Sequence, residues 1–214
     1  MLKSDFSHVR VWVFDLDHTL YPPDRGLFSQ IEGLMTDYVA RTLNVDEVEA
    51  NRLRDHYWEL HGTTLAGLMA EHGLDPDPFL AAVHDIDFSV LSPNPALAAA
   101  IDALPGRKVV YTNGTRPYAH DVLRALGLSG IFDAVYGVEH AGYKPKPAQA
   151  AFEAVFALDG LAPAQGAFFE DSIRNLAVPH ALGMRTVHVA PQPDPQSFIH
   201  HHTSNLTAFL SQLV

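Results

Sequence analysis

Five short apolar runs punctuate the chain, at residues 9–14 (VRVWVF), 108–111 (KVVY), 133–138 (DAVYGV), 166–169 (GAFF) and 185–189 (RTVHV). Apolar runs without clean alternation read as strands covered on both faces. Helical patterns separate the later four. Residues 117–126 open on Pro117 and end before Gly127, the usual asymmetry of helix ends. Residues 147–158 put Ala151, Phe152, Val155 and Phe156 on one stripe. Residues 172–182 begin with a good N-cap, Ser172, and carry Pro179, which is expected to kink or shorten the helix. Strand–helix alternation implies right-handed crossovers and a parallel sheet, so the class is α/β.

One stretch breaks the alternation. From Leu27 to about Leu91 the periodicity is helical. Ile31, Leu34, Met35, Tyr38, Val39 and Leu43 share one face, and further helices are expected over 45–60, 64–72 and 76–84. Pro22 and Pro23 mark its entry, Pro93 and Pro95 its return. The chain therefore divides into an α/β core, residues 1–20 and 92–214, and an all-helical cap, residues 21–91, inserted after the first strand. Open α/β sheets bind ligands beyond the carboxyl ends of their strands. An insert leaving that edge roofs the site.

Composition narrows the chemistry. The formal charge of -11 and the lack of any basic run argue against a nucleic acid polymer as partner. A small phosphorylated metabolite remains admissible where a metal ion and a few cations act locally. The absence of cysteine excludes disulfides and cysteine-ligated metal. No apolar stretch approaches the roughly 18 residues of a membrane span, and the first residues lack a signal-peptide core, so a cytoplasmic location without membrane attachment is expected.

Four polar clusters follow core strands. Asp15 and Asp17 stand two apart in extended chain, so both face one pocket. Such a pair suits a nucleophile and a proton-transfer partner once a cation relieves their repulsion. A surface turn is the plain alternative. Thr112, Asn113 and Gly114 offer a hydroxyl, an amide and a freed backbone before a helix, either a phosphate cradle or a simple N-cap. Residues 142–147 (GYKPKP) present two lysines on a proline-stiffened loop. Lys144 is expected to meet the phosphoryl group and Lys146 to be a solubilising surface charge. Glu170 and Asp171 suit a hard cation, or favour a helix macrodipole. Taken together, these groups meet the needs of phosphoryl transfer.

In their order (DxDxT, strand-end Thr, Lys-Pro, acidic pair before Ser), the four clusters resemble the haloacid dehalogenase-like hydrolases over nearly the whole chain. The resemblance implies a Rossmann-like three-layer α/β/α core and magnesium as cofactor. It implies Asp15 as nucleophile and Asp17 as general acid, then base. Thr112 and the backbone near Asn113 would hold phosphoryl oxygens, and Lys144 would stabilise charge. Magnesium would take Asp15, the Asp17 carbonyl and Asp171, with Glu170 direct or through water. Dehalogenase members lack the second Asp, so Asp17 favours phosphate over halide. Residues 58–68 (WELHGTTLAGL) and 15–22 (DLDHTLYP) resemble the pyrimidine 5'-nucleotidase-like subgroup, with His61 where Tyr is usual. The expected activity is hydrolysis of nucleoside 5'-monophosphates. Phosphatase or phosphomutase action on phosphoglycolate, FMN or a sugar phosphate is the alternative, and a non-catalytic phosphate binder a more distant one.

Other residues carry weaker expectations. His18, Tyr21, His61, Thr63 and Thr64 are candidates to touch substrate, and Asn175 to support the metal shell. Arg116 and His120 either line the pocket or lie on a helix surface. His200, His201 and His202 read as a solvated loop.

Overall fold

The computed structural model describes residues 2–214. In chain order the elements are α1 (Leu2–Asp5), β1 (Val11–Phe14), α2 (Leu27–Leu43), α3 (Glu47–His61), α4 (Thr64–His72), α5 (Pro76–Val83), α6 (Pro95–Asp102), β2 (Arg107–Tyr111), α7 (Arg116–Ala125), β3 (Ala134–Tyr136), α8 (Gln149–Asp159), β4 (Gly166–Glu170), α9 (Ala177–Ala181), β5 (Arg185–Val189), β6 (His201–Thr203) and α10 (Leu206–Leu210).

The strands form one parallel sheet in the order β3-β2-β1-β4-β5-β6. From β1 the chain builds outward to β2 and β3, then crosses back to build β4, β5 and β6 on the other side. The carboxyl ends of β1, β2 and β4 therefore flank the point where strand order reverses, the position at which α/β sheets form a ligand crevice. Strand alternation splits the core in two. Trp12 and Phe14 pack with residues of α6, α7 and α10, whereas Val13 packs with Phe168 and with Ala151, Phe152 and Val155 of α8. This is the three-layer Rossmann-like arrangement. Phe14 stacks on Phe169 at 4.6 Å, and Phe209 meets Phe169 edge-on at 6.1 Å, so one aromatic column ties β1, β4 and α10 together.

Two sequence expectations need correction. Residues 201–203 form an edge strand rather than a solvated loop: His201 and His202 pair in register with Val187 and His188 of β5. The Thr186 hydroxyl donates to the Phe198 carbonyl and the Thr186 N–H to His200 Nδ1, which pins the approach to that strand. The helix expected over 172–182 is broken into a 3₁₀ turn, Ile173–Asn175, and the short α9. Pro179 falls in the first turn of α9, where its missing N–H leaves no bond unmade.

Between β1 and α6 every regular element is helical, and α2 to α5 pack on one another. Leu27, Ile31 and Val39 form the buried stripe of α2, and Asn44 closes that helix in the left-handed region at φ 53°. Asp46 and Thr63 cap α3 and α4 by accepting from the Glu49 and Ala66 N–H groups. The α3–α4 corner at Gly62, with φ 91°, lies directly over the proline loop of the sheet layer: a Cβ there would stand 3.5 Å from the Lys146 carbonyl. No described helix is long and apolar enough to cross a membrane.

Candidate active site

Asp15 directly follows β1, and its N–H continues the ladder by donating to the Phe169 carbonyl at 2.9 Å. Glu170 ends β4 on the neighbouring strand. A single cation lies between their buried carboxylates. Lys146 Nζ is 2.7 Å from Asp15 Oδ1 and 2.7 Å from Glu170 Oε2, and it also donates to the Tyr111 carbonyl. The Lys146 side chain is 1% exposed, with the rings of Tyr111 and Phe168 about it.

The lysine expectation is thus reversed. Lys144 is exposed on the loop surface, and Lys146 is the buried partner of the carboxylates. Asn113 makes the choice. Its side-chain oxygen accepts from the Lys146 N–H at 2.8 Å, and its amide donates to the Lys146 carbonyl at 3.1 Å. This two-point clamp holds the backbone of Lys146 against the end of β2, so the Asn113 side chain is a loop clamp.

Thr112 is buried, and its hydroxyl oxygen accepts from the Gly114 N–H at 2.9 Å. Its own O–H has no protein acceptor among the described residues. Glycine is needed at 114, because a Cβ would come within 2.7 Å of the Tyr118 ring. Tyr118 in turn reaches Asp17. Both Tyr118 and Tyr21 donate to Asp17 Oδ1 at 2.5 Å. Tyr118 gives no sequence signal, since it falls on the buried stripe of α7 beside Ala119 and Val122 and reads as core. His84, from the end of α5, stacks on Tyr118 at 4.3 Å.

Thr19 joins the two acidic loops. Its hydroxyl donates to Asp15 Oδ2 and accepts from the Asp171 N–H, both at 3.1 Å. The final position of the DxDxT pattern was the available signal for it. Asp171 is half-buried, with His18 Nδ1 3.7 Å from its carboxylate and His188 Nε2 3.0 Å from its carbonyl. His18 adopts φ 62°, which turns its ring toward Tyr21 and Phe28. Asn175 is buried at the end of the 3₁₀ turn that follows.

Electrostatically the centre has a surplus of negative charge. Burial, then the nearby Glu170, push Asp15 up to about 7 against the opposing pull of Lys146. Burial raises Glu170 as well, again opposed by Lys146. Burial works against the Lys146 ammonium, but Asp15 and Glu170 outweigh it and hold its pKa above the ordinary lysine value. Ligand oxygens of Asp15, Glu170 and Asp171 all lie within 4.8 Å of one another. Three clustered carboxylates facing one ammonium are an all-oxygen donor set of the kind a hard divalent cation takes, so the residues fit magnesium. Both oxygens of Glu170 accept hydrogen bonds, from Ser172 N–H and Lys146, and both of Asp15 do too, from Lys146 and Thr19, which leaves Asp171 the freest of the three ligands.

A cavity of about 310 Å³ opens from Asp17, Asn113, Gly114 and Tyr118 into the helical layer. Thr63 and Thr64 line it. His61 does not: it turns instead to Glu71, 2.9 Å away. Arg116 and His120 are absent from the lining and lie 3.3 Å apart on the outside of α7. Arg54 was not anticipated as a lining residue.

Comparison with known proteins agrees with this layout. Phosphate metabolism protein 8 of Saccharomyces cerevisiae is 25% identical over 196 residues, which cover 82% of this chain and 60% of the yeast protein. The chain thus spans about three-fifths of the length of that relative. Among solved structures, a HAD phosphatase from Thermococcus onnurineus superposes with a TM-score of 0.63 at 16% identity, covering 96% of this chain and 98% of the other. The HAD-hydrolase YfnB of Bacillus subtilis, solved with bound magnesium, gives 0.59 at 17% identity over 96% and 98%. The L-2-haloacid dehalogenase of Xanthobacter autotrophicus gives 0.53 at 19% over 86% and 79%. At these identities the structural likeness is one of fold. The sequence itself matches the haloacid dehalogenase-like hydrolase family over residues 9–183, most of its length. With the strand-end carboxylates, the buried lysine and the parallel sheet in place, the chain belongs to the haloacid dehalogenase-like hydrolases.

Proposed function

We propose that this hydrolase cleaves phosphate monoesters through a covalent aspartyl-phosphate on Asp15, and that its substrates are nucleoside 5'-monophosphates. The observation that carries the phosphatase reading is the carboxylate of Asp17, held by two phenols at the mouth of the cavity. A departing halide needs no proton. A departing alkoxide does, and a half-buried carboxyl that lines the cavity can supply it.

Asp15 attacks phosphorus while Asp17 protonates the leaving oxygen. Asp17 then takes a proton from the water that hydrolyses the acyl phosphate, returning both carboxylates to their starting state. Lys146 keeps Asp15 oriented and neutralises charge that develops beside it. The Thr112 O–H, which has no protein acceptor among the described residues, donates to a phosphoryl oxygen in this reading. Asp15 and Asp171, with Glu170 beside them, would hold magnesium, which would supply electrophilic stabilisation of the phosphoryl group when bound. The helices α2 to α5 act as the cap that excludes bulk water.

The nucleotide reading rests on the cavity. Trp58, Thr63, Thr64 and Leu65, from the segment that resembles the pyrimidine 5'-nucleotidases, all line it. Its volume of about 310 Å³ lies at the lower end of small-ligand pockets. The yeast relative's name, which refers to phosphate metabolism, agrees with a phosphate-handling role.

A hydrolysis panel of UMP, CMP, FMN, phosphoglycolate and sugar phosphates tests the assignment. The expected result is magnesium-dependent release of free phosphate, greatest for the pyrimidine nucleotides and abolished by EDTA. Phosphoryl transfer that needs a bisphosphate activator and releases no phosphate would point to a mutase instead.

Tyr118→Phe removes one of the two phenolic donors to Asp17. Loss of one hydrogen bond to a charged group lowers kcat by about tenfold with KM little changed. The double Tyr21→Phe/Tyr118→Phe variant loses more than the product of the single effects, because each phenol holds the carboxylate when the other is gone. Steady-state kinetics on the best substrate of the panel reads both.

A further inference from the structure

Arg54, on α3, lines the same cavity as Asp17 and is largely buried, with a side chain 15% exposed. Its guanidinium is only partly satisfied. Nη1 donates to Thr36 Oγ1 at 2.7 Å and to Asn51 Oδ1 at 3.0 Å, which fixes the plane of the group. Nη2 lies 3.9 Å from Glu32 Oε1, beyond hydrogen-bond reach. Nε is buried and has no partner. Nε is enclosed, so the donor left for a ligand acceptor is Nη2, which has no protein acceptor within reach among the described residues. Burial draws the guanidinium below the usual arginine range, with Glu32 and Asp55 opposing.

The surroundings define the acceptor. Phe28, Phe79 and Trp58 give the cavity flat aromatic walls suited to a planar ring. Glu32 and Asp55 also line it, so a second anionic group on the substrate would face two carboxylates at this end and Asp17 at the other.

We propose that Arg54 determines specificity in this cavity, and that the ester it selects carries on its leaving group a planar ring with a neutral hydrogen-bond acceptor, such as a ring carbonyl. Arg54 is a binding residue far along the leaving group, not a participant at phosphorus. The inference rests on the phosphatase reading and names what its cavity recognises.

The test compares UMP, which has ring carbonyls, with phenyl phosphate, which has none, in wild-type and Arg54→Met proteins. The ratio of kcat/KM for UMP to that for phenyl phosphate falls by about 10- to 100-fold, as expected for one charged hydrogen bond, chiefly through KM for UMP. In parallel, calorimetry follows UMP binding to the Asp15→Asn protein with and without Arg54→Met, and Kd rises by the same factor. Binding does not require turnover. A wild-type enzyme that hydrolyses neither ester therefore sinks the phosphatase reading, while the Kd comparison still decides the role of Arg54. Arg54 also bridges α2 and α3, so Arg54→Lys, which keeps charge and stem but loses the planar fork, stands in if the Met variant unfolds. Its ratio and Kd move in the same direction. Equal losses on both esters, an unchanged ratio and Kd, or a preference for carboxylate-bearing phosphoglycolate over UMP overturns the proposal.

Discussion

An Asp15→Asn protein loses phosphate-ester turnover by at least about 10,000-fold, the scale on which removal of a covalent nucleophile acts. It does not lose its fold. Asp15 is buried beside Glu170, and burial pushes its carboxyl up to about 7, so its ionised form opposes folding at neutral pH. Asparagine removes that charge and leaves Lys146 paired with Glu170 alone, 2.7 Å away. In magnesium-free buffer the variant therefore melts at or above the wild-type temperature, while turnover collapses. Thermal melts and steady-state assays on one preparation, checked by mass for deamidation, read both halves. A variant that loses activity only because it unfolds contradicts this account.

Lys146→Met has the second-largest effect and the opposite stability sign. The change leaves Asp15 and Glu170 facing each other with no ammonium between them. Breaking a buried ion pair from one side costs about 3–5 kcal/mol. Turnover falls with it, because the nucleophile loses the partner that orients it. The control is Lys144→Met two residues earlier. That side chain is exposed, so the change shifts stability by no more than about 0.5 kcal/mol and leaves turnover within about twofold. Urea unfolding and kinetics on the pair separate the two lysines.

That contrast also marks where the sequence stops being readable. Both lysines precede a proline on one loop, and no local pattern ranks them. What ranks them is Asn113, 33 residues away in sequence, which clamps the backbone of Lys146. Asp15, Asp17, Glu170 and Asp171 were legible because each closes an apolar run, and the end of a buried parallel strand can lie in only one kind of place. The helical character of the stretch between β1 and α6 was legible for a similar reason, since its period changes from strand-like to helical. β6 was not. His201, His202 and Thr203 have no apolar signature, and they join the sheet through backbone pairing with β5. Tyr118 and Arg54 were hidden in another way. A tyrosine on a buried stripe and an arginine on an amphipathic helix look ordinary until the fold shows what their polar ends meet.

On the proposed reading, the fold lets an acidic chain take an anionic ester. Its cations are placed rather than numerous. One ammonium is locked between two carboxylates, and Asp15, Glu170 and Asp171 form a donor set whose negative charge a divalent ion would offset.

The most direct test is to find where phosphate becomes covalently attached. Enzyme quenched in acid during turnover, reduced with borohydride, digested and analysed by mass spectrometry should carry homoserine at position 15, the reduction product of an aspartyl-phosphate. Homoserine at another acidic position, phosphate on a histidine such as His18, or active enzyme with no acyl phosphate at any quench time would contradict it.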